Sequence, residues 1–198
     1  MSKFYVYLDY SGSMFGIGKD PVLINTLRSI IAFKTLKSSL LENKTLRFLK
    51  VTEEVSEIEV DDQERVRWPV ACKQANVEAL IHHIKLEQPD HVVVLSDGHF
   101  NFKEKKLLGD LLKEYQGHAV MVLIGPDANN SGFGWARDHV IYSASNLEQA
   151  LATSIYGCNK SSLTIRQISQ IQFAEVTGPK SDDWAEDDWA DAEDDWDS

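Results

Sequence analysis

Asp9-Tyr10-Ser11-Gly12-Ser13 sets a carboxylate and two hydroxyls on alternate residues of one short loop, with a glycine between the hydroxyls that lets the backbone turn. Hard oxygens converging from one loop suit Mg2+ or Mn2+, which take oxygen ligands in near-octahedral geometry. A second carboxylate stands far off in the chain, in Val92-Val93-Val94-Leu95-Ser96-Asp97-Gly98. Each acid directly follows an apolar run that reads as a buried strand. Two acidic loops ending two buried strands describe one metal site, Asp9, Ser11, Ser13 and Asp97, at the rim of a parallel sheet. The competing explanation is local: Ser11 and Ser13 hydrogen-bond the turn, and Asp97 caps the segment after it.

The elements that must position these residues follow from periodicity. Lys3 to Asp9 reads as a central strand. Asp20 and Pro21 give an N-cap and a first-turn proline for a helix running to about Leu41. Thr45 to Val51 and Val55 to Val60, joined by Thr52-Glu53-Glu54, form an antiparallel hairpin because so short a link permits nothing else. A polar connection, Asp61 to Lys73, precedes a helix starting near Asn76. His91 to Ser96 is a second central strand, and Asn101 with Glu104 forms a capping box for the helix after it. Ala119 to Ile124 is another buried strand. A glycine-rich loop, Gly125 to Gly134, leads to a short strand at His139 to Tyr142. Ser145 with Glu148 caps a last helix reaching Tyr156. The expected fold is a three-layer, doubly wound α/β domain with a mostly parallel sheet and one antiparallel edge strand. In such sheets ligands sit beyond the carboxyl ends of the strands, where strand order reverses.

The net charge of −11 is unevenly placed. Residues 181–198 hold ten acidic side chains and no basic ones, leaving 21 acidic against 20 basic in the body. A neutral body with an acidic tail gives no electrostatic basis for binding nucleic acid. No apolar run approaches the roughly 20 residues that span a bilayer, and Asp9 comes too early for a signal peptide's apolar core. The chain reads as cytoplasmic, with Cys72 and Cys158 as buried thiols rather than a disulfide.

Residues 1 to about 157 resemble the von Willebrand factor A domain. The matching segments are Phe4 to Ser13, the strand pair through Val60, and Val92 to Gly98. The resemblance implies a metal-ion-dependent adhesion site (MIDAS) on the top face, with Asp9, Ser11 and Ser13 as first-loop ligands and Asp97 as the later carboxylate. There the metal leaves one position open, and a partner's glutamate or aspartate completes the shell. The family's threonine ligand falls near Ala75, which has no oxygen to give; Gln74 or Asn76 is the substitute if the alignment shifts by one. Stand-alone intracellular members, bacterial in style, often work beside AAA+ ATPases, kinases or phosphatases, and that is what the likeness implies for partners.

Enzyme chemistry has less behind it. The chain has no Gly-x-Ser-x-Gly turn, no phosphate-cradling loop ending in Lys-Ser/Thr and no His-Glu-x-x-His. Asp9 as the aspartyl nucleophile of a Mg2+-dependent phosphohydrolase lacks the second aspartate usual two residues on, where this chain has Ser11. The expected function is therefore a non-enzymatic protein–protein adaptor. Asp182-Asp183-Trp184, Asp187-Asp188-Trp189 and Asp194-Asp195-Trp196 add a second docking element in a tail, residues 178–198, that is disordered when alone. In each repeat Trp184, Trp189 or Trp196 suits an apolar pocket, while Asp183, Asp188 and Asp195 suit its basic rim. Residues 158–177 form an extension packed on the domain. The alternative is a metal-independent scaffold acting through the tail.

Overall fold

The computed structural model describes residues 2–15, 18–35, 44–58 and 74–158. The chain divides into two units, Met1–Ser161 and Ser162–Ser198, and all described residues belong to the first. The tail repeats, the extension beyond residue 158, the connection after residue 58 and Cys72 lie outside the described residues.

In chain order the elements are β1 (Ser2–Asp9), α1 (Lys19–Thr35), β2 (Lys44–Val51), β3 (Val55–Glu57), α2 (Val77–Glu87), β4 (His91–Ser96), α3 (Phe102–Glu114), β5 (Ala119–Leu123), α4 (Ala136–His139), β6 (Ile141–Ser143) and α5 (Leu147–Tyr156). A 3-10 turn, Gly12–Phe15, sits in the loop after β1. The sheet order is β3-β2-β1-β4-β5-β6, with every pairing parallel except that of β2 and β3. Helices flank it, giving the three-layer, doubly wound α/β domain with one antiparallel edge strand. Among the described residues no helix is long and apolar enough to cross a membrane.

The central strands are buried on both faces, as a sheet covered by helices requires. Phe4 to Leu8 and Val92 to Leu95 are all at most 2% exposed. β1 lies between β2 and β4, so the chain leaves β1 toward one edge and returns on its other side. The strand order reverses at that point, the place where doubly wound sheets bind ligands beyond the carboxyl ends of their strands. Leu8 pairs with Leu95, which places Asp9 beside Ser96 and the start of the Asp97 loop.

Most boundaries follow the periodicity, and the departures have physical causes. Asn76 caps α2 through its side chain, and Asn101 with Glu104 forms the complete capping box on α3. α1 begins at Lys19, one residue ahead of the expected cap, so Pro21 is its third residue, where a backbone N–H has no helical partner to lose. The capping box of Ser145 and Glu148 does not form. Ser145 Oγ pairs with Ser143 Oγ at 2.7 Å, and a 3-10 turn, Ala144–Asn146, carries the chain into α5. The last strand starts at Ile141 rather than His139, because residues 136–139 coil into α4 and the Trp135 ring stacks on His139.

Candidate functional site

Three neighbouring parallel strands, β1, β4 and β5, each run into a loop bearing an acid: Asp9, Asp97 and Asp127. The first loop is held from below by Tyr10, whose ring is fully buried 5.6 Å from that of Phe15 and whose N–H donates to the Val51 carbonyl. The third loop is clamped to the second. Asn129 N–H donates to the Asp97 carbonyl at 2.8 Å, and Gly98, at φ +74°, lets the Asn129 carbonyl approach where a Cβ would otherwise stand. The glycine-rich segment therefore flanks the rim.

Asp9 is 3% exposed, and both its oxygens are engaged. Oδ1 accepts the Ser11 N–H at 2.8 Å, and Oδ2 accepts the Ser96 hydroxyl at 2.6 Å. Ser96 Oγ in turn accepts the Gly98 N–H at 3.0 Å. Burial raises the Asp9 carboxyl above its ordinary range, against the lowering effect of the bonds from Ser96 and Ser11. The hydroxyls of Ser11 and Ser13 lie 3.1 Å apart and bond each other. That spacing is close to the ~3.0 Å that separates neighbouring ligands around an octahedral Mg2+.

The sequence reading does not single out Lys19. Its Nζ donates to Ser13 O at 2.9 Å, to Asp97 Oδ2 at 2.8 Å and to Asp127 Oδ2 at 2.9 Å. An ammonium has three N–H donors, so these acceptors saturate it. Lys19 and Asp97 are buried, while the Asp127 side chain is 57% exposed. Burial alone would lower the Lys19 pKa; the bonds to Asp97 and Asp127 outweigh it and hold the group above its ordinary value, as a cation. The other Asp97 oxygen accepts the His99 N–H at 3.1 Å. A second buried lysine, Lys105, lies over the Phe133 ring, 5.4 Å from its centre. One signal for Asp127 is visible in the sequence, since an acid follows each of three apolar strands. Nothing comparable marks Lys19, because the periodicity of a helix does not show where a long side chain in its first turn reaches.

The remaining expected site residues fall as follows. Ala75 is buried and supplies no oxygen. Asn76 spends its side-chain oxygen on the Ala79 N–H and its amide on the Glu53 carbonyl, and Gln74 reaches Glu104. Ala75 has no oxygen and Asn76 spends its own on the cap of α2, so neither stands in for the threonine. Among the described residues no three His, Cys, Asp or Glu side chains converge to hold an ion.

The donor set therefore does not fit a divalent ion as it is arranged. The two hydroxyls are suitably spaced, but Asp97 already holds a cation. An ion taking Asp97 as a ligand would have to displace the Lys19 ammonium from its Oδ2.

No family model matches this chain, and no curated protein matches its sequence. Solved structures do match it in fold. The proximal thread matrix protein 1 of the mussel byssus, with a zinc-occupied MIDAS motif, superposes with a TM-score of 0.53 at 12% identity over 76% of this chain. The manganese-loaded TRAP protein of Plasmodium vivax gives a TM-score of 0.53 at 14% identity, covering 77% of this chain and 71% of that one. The chain spans only 44% of the mussel protein's length. At these identities the likeness is one of fold, and the fold is the von Willebrand factor A-like one.

Proposed function

We propose that this protein is a non-enzymatic interaction module that docks a protein partner on the rim formed by the loops after β1, β4 and β5. The observation that carries this reading is the mutual satisfaction of the buried polar groups. Asp9 is taken by Ser96 and Ser11, and Asp97 by Lys19 and the His99 N–H. An aspartyl nucleophile needs an accessible oxygen facing its substrate, and Asp9 is buried with both oxygens bonded. Above this paired layer the rim exposes Gly12, Ser13, His99, Asp127 and residues 130–132, a surface for contact. The metal-bridged capture of a partner's acid, expected from the resemblance, requires an ion that the donor set does not accommodate, so the docking proposed is metal-independent. The Asp-Asp-Trp tail supplies a second docking element for a partner with a basic, apolar groove, and an AAA+ ATPase, kinase or phosphatase remains the class of partner the likeness suggests.

Affinity capture from native extract with the full chain tests this. Ser13→Arg places a bulky cation on the exposed rim without touching a buried group. A partner retained in EDTA, lost with Ser13→Arg and kept by Ser11→Ala is the expected result. An identical captured set for wild type and Ser13→Arg would move the function off the rim.

A further inference from the structure

We infer that Lys19 is a built-in cation that takes the place of the divalent ion at this rim, so that the site is assembled, and closed to metal, by the chain's own ammonium. Its three acceptors come from three loops: the Ser13 carbonyl after β1, the Asp97 carboxylate after β4 and the Asp127 carboxylate after β5, all at 2.8–2.9 Å. One cation tying the loops of neighbouring strands together is the structural service an ion performs at such a rim. The path of the side chain is built for it. Gly125 stands at φ +99°, and a Cβ placed there would lie 2.7 Å from Lys19 Cγ and 2.9 Å from Cε. The bare backbone of Gly125 is thus the floor on which the lysine stem lies, and the left-handed conformation that keeps it there favours glycine. The absence of an oxygen at Ala75 fits the same picture, because an ammonium saturated by three acceptors has no use for a further ligand. The inference concerns how the rim is held together and stands whether or not a partner docks on it.

The test is Mn2+ binding to the full chain, read by loss of the free-ion electron paramagnetic resonance signal, with thermal unfolding in EDTA and in Mn2+ beside it. Wild type is expected to take up no more Mn2+ than its Asp9→Asn variant does, the acidic tail being common to both, and to unfold at the same temperature in both buffers. Lys19→Met keeps the stem and removes the charge; it should bind Mn2+ at least tenfold more tightly than wild type and become more heat-stable with it. Asp9→Asn added to Lys19→Met should abolish that gain, locating the ion at the rim. Stoichiometric Mn2+ uptake by wild type that Asp9→Asn removes would overturn the inference, and so would a folded Lys19→Met protein that gains no affinity. Should Lys19→Met fail to fold in EDTA, recovery of the fold in Mn2+ supports the inference and failure in both buffers overturns it.

Discussion

Removing the Lys19 charge strands Asp97, and the cost can be worked from burial. The Lys19 and Asp97 side chains are 4% and 1% exposed, so the pair is screened by almost no water. Methionine at position 19 preserves the packing of the stem against Gly125 and leaves one carboxylate buried without its cation. Breaking a buried pair from one side costs about 3–5 kcal/mol, a large part of the roughly 5–15 kcal/mol that holds a domain folded. For a domain of this size that is a fall in Tm of about 6–20 °C. Urea unfolding in EDTA at pH 7 measures it. Lys19→Met/Asp97→Asn removes the stranded charge as well and should recover about 2 kcal/mol of the loss, while the His99 N–H keeps an acceptor. Asp127→Asn should stay close to wild type, because that partner is open to solvent. A Lys19→Met protein within about 0.5 kcal/mol of wild type, or a double variant no better than the single one, would refute the reasoning.

Three further outcomes are expected. Gly109 lies inside α3, where alanine ordinarily stabilises by up to ~1 kcal/mol; here its Cβ would stand 2.6 Å from the Phe133 carbonyl oxygen, so Gly109→Ala should destabilise by about 1–3 kcal/mol in urea unfolding, and a gain would contradict it. Ser96→Ala removes the hydroxyl that serves both Asp9 and the Gly98 N–H, and a loss of about 2–3 kcal/mol is expected by the same assay. His91 is buried with Nδ1 against the Ser154 carbonyl and Nε2 against the Lys44 ammonium, and burial foremost holds its pKa below the ordinary value. The unfolded chain therefore binds the extra proton first, so stability present above about pH 6.5 is lost as the pH falls below it, by at most ~1.4 kcal/mol per unit. An unchanged urea midpoint between about pH 7.5 and 5.5 would contradict that.

The strands and the two principal carboxylates were legible in the sequence because their signals are short-range. Unbroken apolar runs mark β1 and β4 as buried on both faces, and an acid at the end of each lands at the rim once the two strands pair. The Thr52-Glu53-Glu54 hairpin and the caps at Asn76 and Asn101 are equally local. What failed turned on tertiary partners. Ser145 has the spacing of a cap but bonds Ser143 instead, and α4 displaces the start of β6. Lys19 was illegible for a different reason: it is the first residue of α1, and its chemistry lies at the tip of a long side chain anchored by Ser13, Asp97 and Asp127. The carboxylate pattern alone suggested a metal. The cation that answers it is covalently part of the chain.

The most direct measurement is an anomalous difference map from crystals of the full chain grown in Mn2+. The expected result is no anomalous peak at the rim, with Lys19 Nζ in contact with Ser13 O, Asp97 and Asp127. A peak about 2.2 Å from the hydroxyls of Ser11 and Ser13, with the Lys19 side chain swung away, would contradict it.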